Sequence, residues 1–233
     1  MNFRYLLYCA LFGYVFIVSS NACALEFSAG LKGGINLAKF YGARKLEIIV
    51  GHYDPYKNQV MKPGSMAGAV LQFKVSDKFA LQPELLFSSR GQKISDGTDW
   101  KTLILNYIEV PILTQFLIPI GVVTPTIYAG PSLAFKIGKV NRIGKTGGIE
   151  NNMDDNEREI FDKYYNKFDL GIAVGGSVGT KVGPGSLIAD FRYTLGLLYI
   201  EKLTSDLESQ GITKEDFSKH SVFTFGLGYL FAF

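Results

Sequence analysis

The chain has 233 residues, of which 47% are hydrophobic, 14% aromatic and 19% charged, with 26 glycines and a formal net charge of +3. That mix excludes a disordered tail, a collagen-like fibre and a disulfide scaffold, and the basicity is too slight to point to nucleic acid. Aromatic residues and glycines are abundant and charges scarce for a soluble domain, so apolar surface beyond an ordinary core has to be covered.

Residues 1–24 read as a separate unit. A basic start at Arg4 is followed by an uncharged apolar run from Tyr5 to Val18 and by Ala22-Cys23-Ala24, an A-x-A pattern. This describes a secretory signal peptide cleaved after Ala24, which leaves residues 25–233 as one mature domain. A lipid anchor on Cys23 is the lesser alternative, because Ser20-Asn21-Ala22 lacks the apolar residue expected three positions ahead. Both cysteines, Cys9 and Cys23, fall in the leader, so the exported domain is stable without disulfides.

From residue 26 onward apolar positions alternate with polar or small ones, the period of a strand with two different faces. Strands are expected over 26–37, 66–75, 79–91, 102–116 and 124–138. Their second face collects Lys32, Asn36, Gln72, Lys74, Gln82, Glu84, Arg90, Tyr107, Glu109, Tyr128, Ser132 and Lys136. Residues 110–135 carry no charge and are long enough to cross a bilayer as a helix. However, Pro111, Pro119, Pro125 and Pro131 interrupt them, at about 3 kcal/mol for each interior proline. Two strands fit better. Pro83, Pro111, Pro125 and Pro131 each remove a ladder donor and count against a simple register; local bulges could absorb them, at positions the sequence does not mark.

The alternation continues over 168–182, with Asp169 and Lys181 on the small or charged face, and over 187–197, with Asp190 and Arg192 there. It is clearest at the carboxyl end. Phe223, Phe225, Leu227, Tyr229, Phe231 and Phe233 form one large apolar face, opposite Val222, Thr224, Gly226, Gly228, Leu230 and Ala232. The connections between these eight strands alternate in length: 38–65 long, 76–78 short, 92–101 moderate, 117–123 short, 139–166 long, 183–186 short and 198–219 long. The expectation is therefore an all-β, eight-stranded antiparallel up-and-down transmembrane β-barrel with short periplasmic turns and long extracellular loops.

The side taken by the large residues separates a soluble ligand carrier from a membrane barrel. An eight-stranded lumen is barely wide enough for side chains to fill, so the small and charged face belongs inside. Lys32, Lys74, Arg90, Lys136, Lys181 and Arg192 are then neutralised there by Glu84, Glu109, Asp169 and Asp190. The last-strand aromatics face lipid, where a mid-depth Lys or Arg would cost about 2–4 kcal/mol. Closure follows from the same solvent, since an open edge in hydrocarbon leaves backbone groups unpaired. Inward charges filling the bore argue against a general pore.

Several ordered words carry a resemblance. They are Gly30-Leu31-Lys32-Gly33-Gly34-Ile35-Asn36, Leu81-Gln82-Pro83-Glu84-Leu85-Leu86-Phe87-Ser88-Ser89-Arg90-Gly91 and Leu105-Asn106-Tyr107-Ile108-Glu109-Val110-Pro111-Ile112-Leu113. Next come Tyr128-Ala129-Gly130-Pro131-Ser132, Asp169-Leu170-Gly171 with Gly175, and Asp190-Phe191-Arg192-Tyr193-Thr194-Leu195-Gly196-Leu197. In order and spacing the chain resembles the PorT-like family of small outer-membrane β-barrels. The resemblance implies an integral outer-membrane protein of a diderm bacterium and a link to the gliding-associated type IX secretion apparatus; it implies no assigned activity. Phe233, closing an aromatic-alternating strand, resembles the terminal signal read by the barrel-assembly machinery.

Chemistry-bearing residues are few. His52 and His220 are both expected at the loop end, where a site with Asp54 or Asp206 is conceivable and a solvated surface role is plainer. The acidic run 154–159 fails the calcium-loop spacing and lacks its glycine, and reads instead as a short surface helix, with Ile160, Phe161, Tyr164, Tyr165 and Phe168 following at helix-like intervals. Ser205 with Glu208 and Thr213 with Asp216 suggest capped turns. No catalytic, cofactor-binding or metal-binding residue is assigned. The expected partners are outer-membrane lipid, the assembly machinery at the last strand, and envelope or secretion proteins at the long loops. The alternative is a ligand-binding or enzymatic barrel with a site at the extracellular rim.

Overall fold

The computed structural model describes residues 26–42, 59–95, 99–209, 211, 213–214 and 217–233. The leader, His52, Asp54 and Asp216 lie outside the described residues. Among these residues nine strands and two short helices follow one another: β1 Glu26–Tyr41, β2 Gln59–Lys74, β3 Phe79–Ser95, β4 Trp100–Leu117, β5 Val123–Thr146, β6 Ile149–Asn152, α1 Asp155–Asp162, β7 Phe168–Val182, β8 Gly185–Gly196, α2 Ser205–Ser209 and β9 Lys219–Ala232. No helix among the described residues is long and apolar enough to cross a membrane.

Eight strands close into an antiparallel ring in which each pairs with its neighbours in sequence, and β9 returns to β1. β6 is a side branch, a hairpin partner for the far end of β5. Starting at Phe27, the pairings pass Phe73, Leu81, Thr114, Ala129, Val174, Tyr193 and Phe223 and regain β1 at Leu37, ten residues further on. That stagger over eight strands corresponds to a strand tilt of about 40° and leaves room for side chains only.

The two ends differ. At one end the turns are tight: Ser76 Oγ accepts from the Phe79 N–H at 3.1 Å, and Gly183 takes φ +60 between β7 and β8. At the other, the strands run past the 9–11 residues a bilayer needs. β5 has 24 residues and β2 begins at Gln59, so much of the expected loops 38–65 and 139–166 is paired strand. α1 lies on the acidic run as expected but ends at Asp162, before Tyr164 and Tyr165, and Phe168 of the expected helical spacing begins β7 instead. Asp154 caps it through a hydrogen bond from the Glu157 N–H (2.8 Å), returned by Glu157 to the Asp154 N–H (3.1 Å). For α2 the backbone acceptor is Thr204, whose carbonyl receives the N–H groups of Leu207 and Glu208.

Register shifts occur between Met61 and Met66, spanning Pro63, and between Ile104 and Asn106. No bulge absorbs Pro83, Pro111, Pro125 or Pro131: these prolines face Ile112, Ser132, Val178 and Ile172 in unshifted register. A strand residue directs its N–H and C=O toward one neighbour only. A proline therefore weakens one ladder at one point and leaves the other intact.

Candidate functional site

The inward positions fill the barrel in layers. Nearest the tight turns, Gln72 Nε2 donates to Gln115 Oε1 (2.8 Å) and Gln115 Nε2 to Gln82 Oε1 (2.9 Å). Gln82 Nε2 donates in turn to Glu84 Oε1 at 2.6 Å. Glu84 is the centre of the next layer. It accepts Lys32 Nζ on Oε1 (2.9 Å) and Arg192 Nη2 on Oε2 (2.7 Å). Lys32 also reaches Asp190 Oδ1 at 3.0 Å, and Tyr128 OH donates to Asp190 Oδ2 at 2.6 Å. The Arg192 guanidinium lies 5.6 Å from the Tyr128 ring centroid.

Above this, Arg90 pairs with Glu109 and approaches Asp169 at 3.6 Å, while Ser132 Oγ donates to Glu109 at 2.6 Å. Asn36 links the wall opposite, donating to Ser88 Oγ (2.9 Å) and accepting from Thr224 Oγ1 (2.8 Å). All these charged side chains are buried. A buried charge is tolerated only when paired and hydrogen-bonded, and two carboxylates and two cations interlocked around Glu84 and Asp190 meet that condition.

Toward the long-loop end the filling becomes apolar. Phe40, Leu105, Tyr107, Ala134, Val140, Tyr165 and Ile200 form one buried cluster, capped by Leu103, Phe161 and Tyr164. The segments that cover it are stitched together: Asn166 N–H to Ile200 O and Lys202 N–H to Tyr164 O (2.8 and 2.7 Å), and Asn166 Nδ2 to the carbonyls of Tyr199 and Glu201, both at 2.9 Å. Glu201 is buried in this lid with the Ser218 N–H on Oε2 at 2.7 Å, and burial raises its carboxyl to about 7.

Of the inward residues expected from sequence, Lys32, Glu84, Arg90, Glu109, Asp190 and Arg192 come together, with Asp169 among them. Lys74 and Lys136 stand apart. Lys74 pairs with Glu26 at 3.0 Å at the open turn end, where both side chains are exposed. Lys136 is buried beneath α1 against Asp162. Lys181 is exposed beside the β7–β8 turn. Alternation assigned these three lysines a side of the strand but not a height. His220 is also displaced from the rim expected for it. An even position on β9, it points inward, fully buried between Phe40 and Tyr107, with Tyr107 OH 3.0 Å from Nε2. Sequence reasoning missed Glu201, Asp162 and Gln115. Glu201 lies in an irregular segment and Asp162 at the end of α1, where no period of two marks an inward side; Gln115 shares parity with Glu109 and was readable.

On the outside of β9, Phe225, Leu227, Phe231 and Phe233 are exposed, with Phe223 and Tyr229 partly so. Leu31, Ile35, Leu85, Ile127, Phe135, Phe168 and Ile172 extend the exposed apolar surface around the ring. A filled, polar interior inside an apolar exterior is the arrangement of a membrane barrel.

Residues 18–200 match the family model described as outer membrane protein beta-barrel domain. The chain belongs to that family. Membership places this outer-membrane barrel where its exterior calls for, in the outer membrane. Its fold is similar to that of outer membrane protein OprG from Pseudomonas aeruginosa, with 10% identity, 90% of this chain and 96% of that one covered, and a TM-score of 0.50. Neisserial surface protein A aligns over 89% of this chain and 97% of its own at 12% identity and TM-score 0.45. The outer membrane protease OmpT from Escherichia coli aligns over 93% and 100% at 7% identity and TM-score 0.36, too loose a likeness to bear on activity. No curated protein matches the sequence.

Proposed function

We propose that this barrel is a non-conducting, non-enzymatic anchor that presents a folded outer end to other envelope proteins, in a PorT-like role accessory to secretion or to envelope integrity. The observation that supports this reading is the filling of the bore. Polar layers around Gln82, Glu84 and Arg90 are followed by the apolar cluster around Leu105 and Tyr165, and the stitched lid covers them. A bore packed this way carries no solute, and His220, one of the two histidines of the rim alternative, is fully buried. Among the described residues, what reaches the outside is the surface of the lid, built from α1, α2 and their flanking segments. On this reading the signal peptide is removed, and Phe225, Leu227, Phe231 and Phe233 meet lipid. The carboxyl-terminal strand is what the assembly machinery engages.

Crosslinking of intact envelopes followed by capture of the barrel tests the proposal. Envelope or secretion proteins are expected to be enriched with the wild-type chain and lost when residues 153–164 are replaced by a short glycine-serine link. Absence of enrichment, or enrichment indifferent to that replacement, refutes the partner role. Steady conductance after reconstitution into planar bilayers refutes the non-conducting part.

A further inference from the structure

Outside the lumen and the lid's interior, a pocket of about 430 Å³ opens where β5 at Lys139, α1 and the two stitched connections meet. Its charged walls are Lys139, Lys163, Lys167, Lys202, Glu159 and Asp162. Both acids are engaged: Glu159 pairs with Lys139 at 3.2 Å, and Asp162 holds Lys136 while accepting the Val140 N–H at 3.1 Å. Among the described residues no carboxylate pairs with Lys163, Lys167 or Lys202. Their backbones are nevertheless fixed. The Lys163 N–H closes α1 on Phe161 O, the Lys167 carbonyl accepts the Lys136 N–H at 2.7 Å, and the Lys202 N–H is bound to Tyr164 O at 2.7 Å. Three uncompensated cations are thus held around one concavity.

Its height is what identifies the ligand. Lys167 directly precedes Phe168, whose ring lies 5.3 Å from that of Phe135 across the β5–β7 pairing. Phe135, Ile137 and Phe168 are all exposed outward, one strand step below Lys139. The pocket therefore stands immediately above the apolar band, on the outer side of the barrel, at the level where lipid headgroups sit. Lysine stems lie along apolar surface and place their ammonium groups at this boundary, where each attracts anionic lipid. An ammonium is also a competent point-charge partner for phosphate.

We propose that this pocket binds the phosphate of an outer-leaflet lipid headgroup, with Lys163, Lys167 and Lys202 as its ligands. The inference rests on the long loops facing outward, and it stands or falls independently of any protein partner at the lid.

The test uses the full barrel in phosphatidylcholine nanodiscs doped with diphosphoryl lipid A, with the same lipid after enzymatic removal of its phosphates, or with inorganic phosphate added from solution. Bound lipid is read by native mass spectrometry and the affinity by titration. The diphosphoryl lipid is expected to bind at least tenfold more tightly than its dephosphorylated form. The triple variant Lys163→Gln, Lys167→Gln, Lys202→Gln is expected to lose at least tenfold, while Lys78→Gln with Lys181→Gln, at the turn end, changes nothing. Heat-modifiable migration of each variant checks that the barrel has formed. If the triple variant does not fold, the single variants Lys167→Gln and Lys202→Gln are each expected to weaken binding. Equal binding of the two lipids overturns the proposal, as does full retention by the folded variants. Saturation by inorganic phosphate at the affinity of the lipid removes the headgroup as the ligand.

Discussion

Replacement of Glu84 by Gln removes one negative charge while leaving the shape of the side chain almost unchanged. In the wild type, Oε1 accepts from Lys32 and Gln82 at 2.9 and 2.6 Å, and Oε2 accepts from Arg192 at 2.7 Å. An amide offers one acceptor and one donor, so whichever way it turns, one of the two sides meets a donor with a donor. Lys32 keeps Asp190 at 3.0 Å, but Arg192 is left with Asp190 only at 4.0 Å. Breaking a buried pair costs about 3–5 kcal/mol because one charge loses its partner, and the retained Lys32–Asp190 contact places Glu84→Gln near the lower end, about 3 kcal/mol. The assay is urea unfolding in detergent micelles, followed by far-ultraviolet circular dichroism and by heat-modifiable migration. Glu26→Gln is the internal control. Its pair with Lys74 has the same kind of length, 3.0 Å, but is exposed, and its loss is expected to cost less than about 1 kcal/mol. Adding Arg192→Met to Glu84→Gln is expected to restore much of the loss, because a pair replaced as a whole leaves no orphan charge. Equal midpoints for Glu84→Gln and Glu26→Gln, or strict additivity in the double variant, would refute the view that interlocked charges hold the lumen.

Glu201 is protonated more readily in the folded lid than in an opened one, since burial lifts its carboxyl from about 4.5 to about 7. Lid stability is therefore full below about 4.5, declines as pH rises toward 7, and has lost up to about 3 kcal/mol above that. Amide exchange at residues 199–202 should quicken between pH 5 and pH 8 beyond its intrinsic pH dependence, and Glu201→Gln should abolish that excess; an unchanged excess in the variant contradicts the assignment. At Gly175 an added Cβ would sit 2.3 Å from Phe191 O and 2.6 Å from Tyr128 OH. Gly175→Ala should thus cost about 2–3 kcal/mol in unfolding and Gly176→Ala, whose nearest neighbour would be 3.1 Å away, clearly less. Equal costs would mean that the β8 backbone at Phe191 and the Tyr128 side chain both give way freely. Leu227→Lys, at a position 63% exposed in mid-strand, is expected to destabilise the barrel in lipid vesicles by about 2–4 kcal/mol, whereas Val122→Lys at a turn is neutral. Indifference to Leu227→Lys would show that this face does not meet hydrocarbon.

The alternation from Glu26 to Phe233 made the ring of strands and the inward set around Lys32, Glu84, Arg90 and Asp190 legible, because a period of two assigns every residue a side. Which inward residues meet depends on the ten-residue stagger of the closed sheet, and no local pattern encodes that number. Glu84 and Arg192 are 108 positions apart and touch only because of it. Height is equally hidden from parity, which is why Lys74, Lys136, Lys181 and His220 were assigned the right strands and the wrong surroundings.

The strand ends beyond the apolar band escaped notice for a different reason: there the solvent changes and the rule for the two faces reverses. Below the level of Phe135 and Phe168 apolar residues are exposed on the outside and charges point in, as a hydrocarbon surrounding requires. Above it the same strands stand in water on the outside. Lys39, Lys93, Lys139 and Asn141 take outward positions, while Phe40, Ile94, Leu105 and Val140 are buried within. The register shift between Ile104 and Asn106 lies at this transition: a two-residue step along β4 there opposes a four-residue step along β5, from Ile137 to Asn141, while Leu103 stays on the cluster side with Leu105. A reader who follows one face along the chain sees the apolar signal break at this height and takes the break for a loop. Physically it marks the point at which a membrane barrel becomes an ordinary water-exposed one with an apolar core of its own, and it is that core, around Leu105, Val140 and Tyr165, that gives the lid something to fold onto.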